Sequence, residues 1–177
     1  GYLLPSTVNS NTLVITTSVS GNTQETLSVL MEAKKLGCRI IAFSDGGLME
    51  DYCKNEKIEH RRIKMQHSPR ASFTAFLYSM LNILKNTLPI KNENVIESIK
   101  KIELLQTKIS SENLNESNLA LSLAQWIKDI PLVYYPCGLQ SVATRFKNSL
   151  QENSKIHAMI EDVIEACHNG VVAWEKK

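Results

Sequence analysis

Short apolar segments rich in β-branched residues alternate with amphipathic segments along most of the chain, and this alternation restricts the possible folds more than any other feature. Leu13–Thr17 (LVITT) is typical of a strand buried on both faces, and an amphipathic helical pattern follows over 24–36. The same order recurs at Arg39–Phe43 and at Pro131–Tyr135, each with a helical pattern behind it. The alternation predicts an α/β fold in which helices flank a parallel sheet.

The remaining segments predict further elements and a division of the chain. The stretch 110–118 (SSENLNESN) is polar and typical of a linker or an exposed loop. We therefore expect a first region over 1–109, a linker over 110–118, and a second region over 119–177. Apolar periodicity also predicts a short strand within 58–65 and helices over 48–55, 71–88, 95–109, 119–127 and 139–150.

Composition argues against several classes of protein. Basic and acidic residues nearly balance, with a net charge of +2, and no basic stripe with interleaved aromatic residues occurs. No apolar run approaches the roughly 20 residues of a membrane span, and the first residues lack the features of a signal peptide. The four cysteines form no CxxC pair with zinc-ligand spacing. These features predict a reduced, cytoplasmic protein with no bound metal and with no nucleic-acid or membrane partner.

The turn after the first strand is a candidate phosphate site. Three hydroxyls lie within Ser18–Thr23 (SVSGNT), at the point where a helix begins. Hydroxyls, the adaptable backbone of Gly21 and the unpaired amides of a helix N-terminus can bind a phosphate without any lysine. The residues alone equally allow that Ser20 or Asn22 merely caps the helix.

A family resemblance bears on this choice. The stretch SVSGNTQET, directly after LVITT, is similar to the SxSGxTxET signature of sugar isomerase (SIS) domains, and RIIAFSDGG resembles the next strand and turn of that family. The resemblance implies a SIS fold, a flavodoxin-like three-layer sandwich, with parts of two SIS subdomains in this chain. It also implies that Ser18, Ser20 and Thr23 bind the phosphate of a phosphosugar.

A second stretch limits the resemblance to one group of isomerases with SIS domains. Ser68–Ala71 (SPRA) stands where the most strongly periodic helical segment opens. It resembles the PRA motif of the archaeal and bacterial bifunctional phosphoglucose/phosphomannose isomerases. From the residues alone, Arg70 is a solvated residue at a helix start. The resemblance implies instead that Arg70 lines the active site, near the negative charge that develops during the reaction.

A third stretch resembles the same isomerases. RFKNSLQENSK over 145–155, followed by EACHN over 165–169, is similar to their K-N-x-x-x-E-N-x-K and E-x-x-H-N pattern. The resemblance implies that Glu152 is the catalytic base and that His168 opens the sugar ring. From the residues alone, Glu152 is an ordinary charge at a helix end and His168 is a structural histidine.

Together these resemblances imply an aldose–ketose isomerase. Its substrates would be phosphorylated hexoses, with glucose 6-phosphate or mannose 6-phosphate converted to and from fructose 6-phosphate through a cis-enediol, and no cofactor is needed. The family's architecture implies a homodimer in which His168 acts in the active site of the partner. Behind His168, Asn169 and Gly170 suit a turn, and Val171–Trp174 (VVAW) is an apolar patch that faces a partner or forms a core strand.

Two other functions stay open at this point. A non-catalytic SIS module that senses a phosphosugar requires only the SVSGNTQET loop, and a different SIS sugar-phosphate isomerase would share it. The family pattern also includes a Gly-rich loop before the first strand and a segment after the HN motif, and neither is found here. We therefore expect a fragment, truncated at both ends, that is inactive alone.

Overall fold

The computed structural model describes residues 2–175 and consists of two compact units that divide between Ile90 and Lys91. Each unit contains its own parallel sheet. Among the helices of the described residues, none combines the length and the hydropathy that a membrane span requires.

The first unit alternates three strands with three helices. The strands pair in parallel in the order β1-β2-β3, with Ile15 opposite Ile41 and Ala42 opposite His60. The elements are β1 (Leu13–Thr17), α1 (Gln24–Lys35), β2 (Arg39–Ser44), α2 (Gly47–Asn55), β3 (Glu59–Arg62) and α3 (Phe73–Leu84).

Strand β2 is the centre of this unit because both of its faces are covered. Residues Ile40 to Ser44 are all buried, and successive side chains point to opposite faces. One face packs against α1 and α2 in a cluster that includes Ile40, Ala42 and Leu30. The other face packs against α3, where Ile41 and Phe43 contact Phe76. The unit therefore has three layers, with helices on both sides of the sheet.

The second unit contains a single strand–helix–strand crossover. Strands β4 and β5 are parallel, with Val133 opposite Ile160. Helix α6 connects them and continues into a π-helical turn, and a second π-helical turn (Ala166–Gly170) separates α7 from α8. The elements are α4 (Asn92–Ile109), α5 (Leu119–Trp126), β4 (Leu132–Tyr135), α6 (Gln140–Ser149), the first π-helical turn (Leu150–Ser154), β5 (Met159–Asp162), α7 (Val163–Glu165) and α8 (Val171–Ala173).

The polar stretch 110–118 is organised by one buried side chain. Asn118 is 4% exposed, and its side-chain oxygen accepts hydrogen bonds from the amides of Ala120 and Leu121 at the start of α5. Its side-chain nitrogen donates to the carbonyls of Ser110 and Asn113, at 3.2 and 2.7 Å. The division into regions at this stretch stays a prediction, although α4, which we assigned to the first region, falls within the second compact unit.

The sequence predicted the α/β class and nearly all of the elements as far as α6, but three expectations were wrong. Ser68–Ala71 does not open a helix, because α3 begins only at Phe73 and a turn precedes it. The turn expected at Asn169 and Gly170 is instead a π-helical segment, Ala166–Gly170, that continues directly into α8. Val171–Ala173 is a short helix with exposed side chains, so the alternative of a core strand is excluded. Whether the chain continues beyond either end stays a prediction.

The packing of the first unit predicts how readily its buried cysteine reacts with an alkylating reagent. Cys53 is fully buried on the inner face of α2, and burial raises the pKa of its thiol to about 11, because the thiolate loses its hydration. Cys137 and Cys167 are exposed. We expect iodoacetamide at pH 8 to alkylate these two cysteines in the folded protein and to reach Cys53 only after denaturation, as peptide mass spectrometry can determine. Equal rates at Cys53 and Cys137 would contradict the packing described.

Candidate active site

The turn after β1 is closed by its own hydroxyls. Ser18 Oγ lies 2.9 Å from Thr23 Oγ1 and accepts a hydrogen bond from the Gly21 amide at 3.1 Å. Ser18 is buried, whereas Ser20 and Thr23 are exposed. The turn therefore has one hydroxyl that shapes it from within and two that face solvent beside the first turn of α1.

Neither of the predicted capping residues caps α1. The hydroxyl of Ser20 accepts from the Asn22 amide at 3.2 Å, and Asn22 Oδ1 accepts from the amide of Leu48, 26 residues away, at 3.0 Å. Thr23 stands at the N-cap of α1, and its side chain makes no capping hydrogen bond. The N-terminus of α1 therefore keeps the unpaired amides that can bind an anion.

The turn after β2 interlocks with this first turn. The amides of Asp45 and Met49 donate to the carbonyls of Val19 and Gly21, both at 2.9 Å. The backbones approach so closely that a β-carbon on Gly21 would lie 1.7 Å from the Gly46 carbonyl oxygen. The two turns therefore form one continuous edge at the carboxyl ends of β1 and β2, where ligands bind in parallel α/β sheets.

Asp45 extends this edge to the segment after β3. Its Oδ2 accepts from the Met65 amide at 3.0 Å, and its Oδ1 lies 3.5 Å from Nε of Arg62. Arg62 also lies 3.8 Å from a carboxylate oxygen of Glu50. Asp45 is thus the side chain that joins the second turn to the chain leading toward Arg70.

Arg70 is exposed on a turn that a buried serine holds in place. Ser72 is fully buried, and its hydroxyl accepts from the Gln66 amide at 2.9 Å and donates to the Ser68 carbonyl at 3.0 Å. These two hydrogen bonds close the segment from Gln66 to Ser72 around Arg70. The first unit therefore holds the hydroxyl-rich turn and Arg70 on the same series of loops.

Glu152 and His168 occupy opposite ends of the sheet in the second unit. Helix α6 starts after the carboxyl end of β4 and must return to the amino end of the parallel strand β5, so Glu152, in the π-helical turn behind α6, lies toward that amino end. His168 follows the carboxyl end of β5, in the turn Ala166–Gly170. Both side chains are exposed. This unit does not bring them together within one chain.

Sequence reasoning missed several residues that organise this edge. Side-chain hydrogen bonds organise the edge at Ser44, Asp45, His60 and Ser72, and Asn22, which the sequence assigned to α1, bonds instead to the start of α2. The signals available were weak: two consecutive glycines after a strand, and short polar residues at strand and helix ends. Within the described part of the chain, no group of three histidine, cysteine or acidic side chains could hold a metal ion.

Comparisons with known proteins agree with this architecture. Residues 116–177 match the family described as the bacterial phospho-glucose isomerase C-terminal SIS domain. The tagatose-6-phosphate ketose/aldose isomerase from Escherichia coli superimposes with a TM-score of 0.61 at 15% identity, over 94% of this chain and 47% of that one. The chain therefore has the fold of a SIS-domain protein.

Similarity in sequence indicates which kinds of sugar-phosphate enzyme this chain resembles. A bifunctional phosphoglucose/phosphomannose isomerase from Caldicellulosiruptor bescii is 35% identical over 98% of this chain and 52% of its own length. A protein of the same name from Aquifex aeolicus is 30% identical over 98% and 51%. A D-glucosamine-6-phosphate 4-epimerase from Sulfolobus acidocaldarius is 27% identical over 96% and 53%. The chain is thus similar in sequence to bifunctional phosphoglucose/phosphomannose isomerases, and it spans about half the length of the curated relatives it matches.

The interlock of the two turns can be tested by a matched pair of substitutions. Gly21 and Gly37 both have a φ of +71°, so alanine at either position is strained by about 1 kcal/mol. A β-carbon on Gly37 meets nothing closer than 3.9 Å, whereas one on Gly21 meets backbone at 1.7 Å. We expect Gly21→Ala to lower the free energy of unfolding by at least about 2 kcal/mol more than Gly37→Ala, because the backbone must move. Denaturant titration measures both, and equal losses would contradict the interlock.

Proposed function

We propose that the full-length protein is an aldose–ketose isomerase that interconverts glucose 6-phosphate or mannose 6-phosphate with fructose 6-phosphate. The observation that carries this proposal is the turn Ser18–Thr23, with two exposed hydroxyls beside an N-terminus that no side chain caps. Its relatives named as phosphoglucose/phosphomannose isomerases supply the substrate class. The proposed setting is cytoplasmic carbohydrate metabolism.

In this proposal the phosphate binds to neutral donors. The hydroxyls of Ser20 and Thr23 and the first amides of α1 donate to the phosphate oxygens, and the helix dipole favours the negative charge. Ser18 contributes mainly by shaping the turn, because it is 6% exposed and its hydroxyl already bonds to Thr23 and Gly21. The family resemblance assigns phosphate binding to all three hydroxyls, and in this proposal the direct contacts come from Ser20 and Thr23.

The chemistry requires a base, a cation and a ring-opening group. Glu152 takes the proton from carbon 2 and returns it at carbon 1, which moves the carbonyl without any redox cofactor. Arg70 stabilises the negative charge that develops on the enediolate oxygen. His168 moves a proton at the ring oxygen. The two substrates differ only at carbon 2, where the enediol is planar. A site with room to rotate the carbon 2–carbon 3 bond lets Glu152 return the proton to either face of carbon 2, so one site serves both.

We propose that the active protein is a homodimer with shared sites. Because Glu152 and His168 lie toward opposite ends of one parallel sheet, a single chain does not place both beside one hexose. A two-fold dimer solves this problem, since the histidine of each chain then serves the glutamate of its partner.

The direct test is an assay of the full-length protein on fructose 6-phosphate, with glucose 6-phosphate and mannose 6-phosphate followed as products. Formation of both supports the proposal. Binding of phosphosugars without turnover would favour a regulatory SIS module instead. Because one relative is named a D-glucosamine-6-phosphate 4-epimerase, glucosamine 6-phosphate belongs in the same assay, and turnover of that sugar alone would replace the proposed substrate.

The phosphate assignment predicts the kinetics of a double variant. Removing the hydroxyls of Ser20 and Thr23 by alanine substitution should raise KM for the phosphosugar about tenfold or more, since each loses a hydrogen bond to a charged group. Ser28→Ala is the control, because the Ser28 hydroxyl donates within α1, to the Gln24 carbonyl at 2.9 Å. An unchanged KM in the double variant would refute the assignment.

The shared site predicts recovery of activity on mixing. Glu152→Gln and His168→Ala homodimers should each be inactive, because every site lacks one essential group. After subunit exchange about half of the dimers are mixed, and each mixed dimer has one site with both groups intact, so about a quarter of wild-type activity should return. If both groups act within one chain, mixing restores nothing.

A further inference from the structure

We propose that His60 is a positioning residue for the turn Ser18–Thr23 and that it acts through the hydroxyl of Ser44 and the Gly46 peptide. This inference rests on the proposed role of that turn in phosphate binding. His60 does not lie in the turn, and it belongs to a different strand. It would therefore affect substrate binding without contacting the substrate.

The first link joins β3 to the end of β2. His60 lies opposite Ala42 in the strand register, and its Nε2 is 2.8 Å from Oγ of Ser44. Ser44 is the last residue of β2 and is fully buried. A buried hydroxyl at this point connects the strand pairing to the turn that follows.

The second link joins Ser44 to the turn after β2. Its hydroxyl donates to the Gly46 carbonyl at 2.8 Å and accepts from the Gly46 amide at 3.2 Å. A carbonyl oxygen can only accept, so the one hydroxyl proton of Ser44 must point to Gly46 for this 2.8 Å contact to be a hydrogen bond, and the His60 nitrogen is then the donor in its contact with Ser44. His60 is therefore the tautomer with a proton on Nε2.

Burial is consistent with a neutral imidazole. Loss of hydration lowers the pKa of His60, and the positive charge of Arg62 lowers it further, while the carboxylate of Glu50 acts in the opposite direction. These two side chains lie beside the histidine on β3 and α2. The Nε2 proton is present in both the neutral and the charged imidazole, so the link to Ser44 does not depend on titration.

The third link joins Gly46 to the phosphate turn. The Gly46 carbonyl that receives the Ser44 proton is the group against which the α-carbon of Gly21 packs. Gly46 has a φ of +136°, a conformation almost confined to glycine, so the orientation of its peptide needs a partner to fix it. Gly47 follows with a φ of +71° and presents the Leu48 amide to Asn22. Loss of the His60 donor would therefore loosen the surface on which the phosphate turn rests.

A histidine that only fills space would behave differently. His60→Leu keeps most of the side-chain volume and removes the donor, whereas His60→Gln keeps an N–H group at a similar reach. A space-filling role predicts similar effects for both variants. A positioning role predicts a defect in the leucine variant that the glutamine variant does not share. His157→Leu is the matched control, because His157 is exposed in the second unit.

The test uses the full-length protein, with steady-state kinetics on fructose 6-phosphate and inhibition by inorganic phosphate. We expect His60→Leu to raise KM and the inhibition constant of phosphate about fivefold with kcat nearly unchanged, as for the loss of one buried hydrogen bond. His60→Gln should stay within about twofold of wild type, and His157→Leu should be unchanged. Equal effects of the leucine and glutamine variants, or a fall in kcat alone, would overturn the proposal.

The Ser44→Ala variant provides a second test of the same proposal, in case His60→Leu does not fold. It should raise KM to the same degree, and adding His60→Leu to it should raise KM no further, because both residues act along one path. Additive effects would show that His60 does not act through Ser44.

A ligand-free measurement separates this inference from the proposed function. In amide NMR spectra, the Gly21 and Gly46 resonances should move in His60→Leu and stay in place in His60→Gln. If they move as expected but neither His60→Leu nor the Ser20 and Thr23 double variant changes KM, the phosphate assignment fails and this proposal fails with it. If the double variant raises KM and His60→Leu does not, only the role of His60 is refuted.

Discussion

The close approach of Gly21 to the Gly46 carbonyl is the constraint on which the loop edge of the first unit depends. A β-carbon at position 21 would lie 1.7 Å from that oxygen, so only glycine permits the contact. Because the two backbones can approach, the carbonyls of Val19 and Gly21 reach the amides of Asp45 and Met49. The hydrogen-bond pattern of the β1–β2 pair thus continues beyond the strands, and the turns become an extension of the sheet.

This extension explains how residues far apart in sequence come to share one edge. Asp45, in the second turn, accepts from the Met65 amide and so fixes the segment that leads to Arg70. Beneath the turns, β2 is buried on both faces between α1, α2 and α3. The candidate binding groups therefore rest on the most deeply buried strand of the unit, and binding groups built on such a strand are held in place better than groups on loops alone.

The parts predicted from sequence are those whose signal is local. A β-branched run such as Leu13–Thr17 has few alternatives to a buried strand, and the short polar residues and glycine of Ser18–Thr23 indicate a turn before a helix. That this turn binds an anion stays a prediction. Strand β5 (Met159–Asp162) was missed because two of its four residues are acidic, so it carries no apolar run. The helix expected at Ser68–Ala71 was misplaced because the Ser72 hydroxyl bonds back to Ser68 and holds a turn there.

The rest of the site depends on contacts that no local pattern records. The Asn22 side chain caps a helix that begins 25 residues later, since Gly47 opens α2 and Gly46, its N-cap, has no side chain to do so. A capping rule applied to the sequence assigns Asn22 to the wrong helix. The same holds for His60, whose partner Ser44 lies 16 residues earlier on the neighbouring strand. Such pairs can be predicted only once the register of the strands is known.

The distribution of charge suggests why a phosphate site would be built without a lysine. The turn Ser18–Thr23 contains no charged side chain, and the nearby Arg62 is already engaged by Asp45 and Glu50. If neutral donors hold the phosphate, its charge is bound equally before and during the reaction, and this binding orients the sugar without changing the chemical step. Arg70 would then lie beside the reacting carbons, where negative charge develops only as the enediolate forms. In the proposed reaction the neutral phosphate turn and the cation at Arg70 are complementary, because the first would fix the position of the sugar and the second would act on the transition state.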